Sequence, residues 1–105
     1  MTTFLVEFAP EVADQLEEIE IYITEQGSPE TGISYVDAIV SYCESLQSFP
    51  LRGTARDDIR PGLRITHFKG RAIIAFAVRN ETVYILGVFY GGRDYESILL
   101  ETARH

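Results

Sequence analysis

The sequence predicts an α+β two-layer sandwich of order β-α-α-β-β-β-α, a helical hairpin packed on a mainly antiparallel four-stranded sheet. Three features carry this expectation. The stretch from Arg60 to Asp94 holds three consecutive β-rich runs parted by short turns, residues 10–50 hold two segments of helical period, and Gly91-Gly92-Arg93-Asp94 ends the last run with a helix start. The 105 residues suit one domain spanning 1-105, long enough to remove roughly two-thirds of its chain surface from water.

In order, Thr3 to Phe8 reads as a short strand, with Phe4, Val6 and Phe8 alternating against Leu5 and Glu7. Pro10 then stands where a first helical residue tolerates proline, and Val12, Leu16, Ile19 and Ile23 fall at helical spacing up to Gly27, expected as a left-handed stop. Ser28 caps a second helix, with Pro29 at its first position and Glu30 against the dipole. Its apolar face is wide: Val36, Val40 and Cys43 lie beside Tyr35, Ile39, Tyr42 and Leu46, which suits burial against both the sheet and the first helix. Cys43 within that face fits a packed core thiol rather than a nucleophile.

Phe49-Pro50 closes the hairpin. Arg52, Arg56, Arg60 and Arg64 recur every four residues, but Gly53 and Pro61-Gly62 bar a continuous helix across them, so Leu51 to Arg60 is expected as a flexible basic loop. Leu63 to Phe68 alternates apolar and polar, Lys69-Gly70 supplies a tight turn, and Ala72 to Val78 is apolar on both faces, as a central strand requires. Asn80-Glu81 makes the next turn, Val83 to Tyr90 is the third run, and Asp94 caps a final helix with Tyr95, Ile98, Leu99 and Thr102 on one side. The first strand must find its partner across a long connection, and the pattern leaves open which edge it joins. His67 reads as a strand residue of no special chemistry, and His105 as a frayed terminus.

Charge is divided sharply along the chain. Residues 1–51 carry ten acidic and no basic side chains, residues 52–79 carry seven basic and two acidic, and residues 80–105 carry two basic and four acidic, for a net of −7. That overall acidity argues against general nucleic-acid affinity, which clustered positive charge drives. No run approaches ~18 apolar residues, so no membrane span is expected. The first residues lack a basic, cleavable leader, and one cysteine permits no internal disulfide, so a reducing cytoplasm is the expected location. No arrangement of His, Asp or Cys has metal-ligand or triad spacing, so neither a metal nor a cofactor is expected.

Several segments, taken together, resemble one family. They are Phe8-Ala9-Pro10-Glu11 with Leu16 and Ile19-Glu20-Ile21-Tyr22-Ile23, Gly27-Ser28-Pro29-Glu30, and Leu46-Gln47-Ser48-Phe49-Pro50. Further on come Arg52-Gly53, Arg60-Pro61-Gly62-Leu63-Arg64 and Val88-Phe89-Tyr90-Gly91-Gly92-Arg93-Asp94. Their order and spacing resemble the ParE-type toxins of the RelE/ParE superfamily, the toxin halves of bacterial type II toxin–antitoxin modules.

The resemblance implies a toxin held by a ParD-like antitoxin, touching operator DNA only through that antitoxin. ParE-like members are reported to poison DNA gyrase, whereas RelE-like members cut mRNA on the ribosome. Metal-free RNA cleavage needs 2′-hydroxyl activation, charge stabilisation at phosphate and protonation of the leaving oxygen. The RelE-like nucleases use a basic cluster on the sheet and a C-terminal tyrosine. Here the tyrosine position falls near Leu99 and a usual lysine near Gly62, so gyrase inhibition by protein contact is the first expectation. A RelE-like endonuclease, or a decayed toxin serving only as antitoxin-binding co-regulator, is the alternative. The residues expected to contact a target are Arg60, Arg64, Arg71, Tyr90, Arg93 and Tyr95, with no catalytic residue among them. For Tyr90 and Tyr95 the competing role is aromatic packing, and for Arg93 a salt bridge to Asp94 or a nearby Glu. The charge division further implies an antitoxin tail that is basic or neutral against the hairpin and acidic against residues 52–79.

Overall fold

The computed structural model describes residues 3–103, with side chains described through residue 101; Arg104 and His105 lie outside the described residues. Strand β1 (Leu5–Phe8) leads into helices α1 (Pro10–Gln26) and α2 (Pro29–Ser45). Then follow β2 (Thr54–Ala55), β3 (Leu63–Phe68), β4 (Ala72–Arg79), β5 (Thr82–Tyr90) and α3 (Tyr95–Ala103). The predicted order holds with one addition, the two-residue β2. The sheet therefore has five strands rather than four, ordered β1-β5-β4-β3-β2.

The meander turns form as type I′ geometry demands, with Lys69 and Gly70 at φ 50° and 71°, and Asn80 and Glu81 at φ 51° and 61°. The edge left open by the sequence is now fixed: β1 pairs parallel to β5, from Leu5 opposite Thr82 to Phe8 opposite Ile85. The sheet is thus mixed, and β5 rather than β3, the other edge of the meander, gains the parallel neighbour. A β-bulge at Leu86 interrupts the β4–β5 ladder between Ala75/Gly87 and Phe76/Ile85. Past the end of β1, the Val88 N–H donates to Gln15 Oε1 of α1 at 2.8 Å.

One apolar cluster lies between the helical hairpin and the sheet. Val12, Ile19 and Ile23 of α1 and Ile39 and Cys43 of α2 meet Ile74, Phe76, Val83, Ile85 and Val88 of the strands. Burial pushes the Cys43 thiol up to about 12, which keeps it protonated and inert. The expected two layers understate the structure, because the opposite face is also covered. There Ile59, Leu63, Ile65, Ala75, Phe89 and Leu99 form a second cluster under α3 and the 56–62 loop. A central strand apolar on both faces requires this, since an open second face would leave Ala75 and Phe89 in water.

The loop expected to be flexible is ordered. Ile59 is buried, Gly62 N–H donates to Asp57 Oδ1 at 2.8 Å, and Thr54 pairs with Ile65. Gly53 (φ 77°) permits that pairing, because a Cβ there would stand 2.2 Å from the Ile65 carbonyl oxygen. At the interhelical turn Ser28 Oγ accepts from Thr31 N–H at 3.2 Å, as its capping position predicts. Gly27 ends α1 but not in the left-handed region, with φ −143° and ψ −103°; its N–H donates to the Ile23 carbonyl at 2.9 Å, which already satisfies the helix end.

At Gly32 the second helix lies tight against the first, and a Cβ would meet the Glu20 carbonyl oxygen at 2.8 Å and Thr24 Oγ1 at 2.5 Å. Gly32→Ala gains about 1 kcal/mol of helix propensity but must push α1 from α2, an overpacking cost of about 1–3 kcal/mol. A net destabilisation of roughly 1 kcal/mol is expected from urea unfolding, and a midpoint at or above wild type would show that the helices separate freely.

Candidate functional site

The end of β5 opens into a cleft of about 400 Å³ between α1, the meander and the start of α3. Gln15, Glu18 and Tyr22 line it from α1, Arg71 from the 69–71 turn, Tyr90 and Gly91 from the strand end, and Arg93 and Ile98 from the segment beyond. Tyr90 is placed by cross-strand pairing opposite Ala72, whose small side chain leaves room for the rings above it. The Tyr90 ring meets Tyr22 at 5.8 Å and Tyr35 at 5.5 Å, and the Arg71 guanidinium lies 5.5 Å from its centre. Gly91 (φ 70°) and Gly92 (φ 82°) then turn the chain out of the sheet and leave Arg93 exposed at the mouth.

Of the six residues expected to contact a target, the fold brings three together: Arg71, Tyr90 and Arg93. Arg93 carries one ion pair, to Glu18 across the cleft at 3.8 Å, with both side chains more than half exposed; such a pair is worth about 0–1 kcal/mol and is easily exchanged for a better acceptor. Its partner is thus a glutamate of α1 and not Asp94, which instead caps α3: Asp94 Oδ1 accepts from Ser97 N–H at 3.2 Å and Oδ2 from Ser97 Oγ at 2.7 Å.

The other three are drawn elsewhere. Arg64 spends its guanidinium on backbone carbonyls, donating to Arg52 at 2.9 Å, Leu51 at 3.1 Å and Gly53 at 3.4 Å, which ties β3 to the loop before it. Tyr95 packs its ring against Phe89 and takes a hydrogen bond on its hydroxyl from Arg56 Nη1 at 3.0 Å. Arg60 borders a separate groove of about 420 Å³ on the opposite sheet face, beside Glu7, Phe8, Arg79 and Tyr84. Sequence spacing missed Gln15, Glu18 and Tyr22, since their side of α1 is polar and reads as a solvated flank. The signal was there in Tyr22, a large aromatic off the apolar stripe, 47% exposed in the fold.

Arg56, expected only as one residue of a flexible basic loop, fastens α3. It donates to both carboxylate oxygens of Asp58, at 3.0 and 2.9 Å, to the Tyr95 hydroxyl and to Glu96 Oε2. Among the described residues no group of His, Cys, Asp or Glu could hold a metal ion, and no helix is long and apolar enough to cross a membrane.

The comparisons with known proteins bear on the whole fold. A family model described as the ParE toxin of the type II toxin–antitoxin system parDE matches residues 6–95. A solved structure titled the chromosomal ParDE TA system from P. aeruginosa superposes with a TM-score of 0.73 over 85% of this chain and 97% of that one, at 21% identity. No curated protein matches the chain.

The groups holding α3 titrate. The Arg56 guanidinium beside Asp58, and Ser97 beside Asp94, hold those two carboxyls below the usual range. A carboxyl lowered on folding stabilises above its unfolded value of about 4 and loses that contribution as the pH falls below it. The α3 carbon shifts are therefore expected to move toward coil below about pH 4, before the β4–β5 shifts change. At neutral pH, Arg56→Gln should accelerate amide exchange in α3 by about tenfold while leaving β4 and β5 protected. Uniform exchange across the chain would show that α3 opens only with the whole fold.

Proposed function

Since the chain belongs to the ParE toxin family of type II toxin–antitoxin systems, we propose that it is a cytoplasmic toxin that inhibits DNA gyrase by protein contact and is neutralised by a ParD-like antitoxin. Operator DNA is met only through that antitoxin. The single observation that carries a non-enzymatic action is Leu99. It is 4% exposed and packed with Ile59, Leu63, Ile65 and Phe89, near the place where the resemblance puts the tyrosine of the RelE-like nucleases. An alkyl side chain transfers no proton.

The neighbouring polar groups support the same reading. Arg64 is taken up by three carbonyls and Tyr95 is held beside Arg56, its hydroxyl accepting from Nη1, so neither lines the cleft of Arg71, Tyr90 and Arg93. The free chemistry gathers instead in the cleft of Arg71, Tyr90 and Arg93, two guanidiniums beside exposed aromatic surface. That composition suits a protein epitope with a carboxylate and an apolar or aromatic anchor, because Arg and Tyr contribute disproportionately to such contacts.

Two outcomes are expected. Purified protein added to translating ribosomes should leave mRNA intact, and start-proximal cleavage would move it to the nuclease branch. In a gyrase supercoiling assay Arg93→Ala should raise the inhibitory concentration by about tenfold, the loss of one charged contact, with an unchanged circular dichroism spectrum. Inhibition at the wild-type concentration would make Arg93 structural, and absence of inhibition by the wild type would overturn the gyrase reading.

A further inference from the structure

A row of aromatic rings runs from α1 across the sheet end to the loop after α2. Tyr22 meets Tyr90 at 5.8 Å, Tyr90 meets Tyr35 at 5.5 Å, Tyr35 meets Phe68 at 5.9 Å, and Phe68 meets Tyr42 at 5.5 Å. The Arg52 guanidinium extends the row, lying 5.7 Å from the Tyr42 ring centre and 5.1 Å from that of Phe49. Lys69 Nζ stands 5.5 Å from the Phe68 centre and Arg71 5.5 Å from that of Tyr90. Three cations thus sit on ring faces along one surface. Among the described residues, none of their side chains takes part in a salt bridge.

That is unusual placement in a chain of net charge −7. A guanidinium or ammonium beside a ring is attracted to it and partly desolvated, and Arg52, Lys69 and Arg71 are exposed, with N–H donors to offer. Among the described residues, the Tyr35 hydroxyl, buried within the row, has no hydrogen-bond partner. Apolar surface flanks the cations at both ends: Phe49 is 60% and Leu51 70% exposed at one, Tyr22 47% exposed at the other.

We infer that this row docks a short acidic polypeptide segment carrying apolar anchors. Charge complementarity selects a peptide over a nucleic acid. The ring faces that would stack bases are covered by the protein's own cations, and a polynucleotide brings a charge at every residue against a hairpin that offers only acids. A peptide can place carboxylates only where Arg52, Lys69 and Arg71 stand, and put apolar side chains on Phe49, Leu51 and Tyr22. Glu30 borders the depression beside Lys69 and Tyr35, so the carboxylate docked at Lys69 must stand on the side of the ammonium away from Glu30. The inference deepens the antitoxin reading: taking the segment to be the acidic part of the antitoxin tail rests on that reading, although the surface itself does not.

The test uses the purified full chain and a short fluorescent peptide alternating Glu and Leu, with oligouridine as competitor, read by anisotropy. The peptide should bind, weaken as salt rises, and lose about tenfold in affinity in Arg52→Gln/Lys69→Gln. The charge-matched change Arg60→Gln/Arg79→Gln, in the groove on the opposite sheet face, should leave it unaltered. Failure to bind, equal loss in both double variants, or tighter binding of oligouridine overturns the inference. Growth arrest on expression is scored separately. A chain that arrests growth yet does not bind the peptide sinks only the docking row, and one that binds it without arresting growth sinks only the toxin reading.

Discussion

Strand β5 has hydrogen-bonded neighbours on both edges and an apolar cluster on each face, so it must be enclosed on four sides for the chain to fold. β1 closes one edge in parallel and β4 the other in antiparallel register. The α1–α2 hairpin covers Val83, Ile85 and Val88, and α3 with the 56–62 loop covers Phe89. A buried apolar side chain of this size contributes roughly 1.5–3 kcal/mol, and each strand N–H or carbonyl left unpaired would cost a comparable amount. Just past the end of β1, Gln15 Oε1 takes the place of a strand partner for the Val88 N–H.

The candidate functional surface begins where that enclosure ends. At Tyr90 the strand runs out, two glycines in the left-handed region redirect the backbone, and side chains from α1, the β3–β4 turn and the α3 approach converge on one cleft. Arg71 and Arg93 stand on short connections anchored at packed elements, Arg71 just before β4 and Arg93 between β5 and α3, and short anchored connections lower the ordering cost of a protein contact. α3 is the least independent of these elements. Its second cluster is small, and its attachment leans on Asp94 as cap and Arg56 as a clamp between loop and helix.

Electrostatics divides the surface in a way the net charge conceals. The hairpin is acidic throughout, and Arg52, Lys69 and Arg71 line up at its border with the sheet, each over an aromatic ring. Of the remaining cations, Arg64 and Arg56 are structural, one holding carbonyls and the other holding α3. The basic residues around the sheet thus serve distinct purposes, some displayed over aromatic rings and some bonded within the fold. Fold and function separate at single side chains.

Local physics made most of the fold legible. The periods of Val12, Leu16, Ile19 and Ile23, the Ser28-Pro29 start, the Lys69-Gly70 and Asn80-Glu81 turns and the Asp94 cap act over a few residues, and each formed as its pattern dictates. The double-sided apolar run of β4 likewise required both faces to be covered, although nothing in the pattern named α3 and Ile59 as the cover. What depends on distant segments was decided only in the tertiary structure. The parallel pairing of β1, the existence of β2 and the order in the 51–60 loop all arise from partners many residues away, whose meeting no local spacing encodes. The candidate site divides along the same line. Arg71, Tyr90 and Arg93 were recognisable as basic and aromatic residues at strand ends, but Arg64 and Tyr95 carry the same chemistry and are satisfied internally. Whether a guanidinium is free or occupied depends on which carbonyls and carboxylates the folded chain brings within hydrogen-bond reach, and that is a property of three-dimensional packing alone.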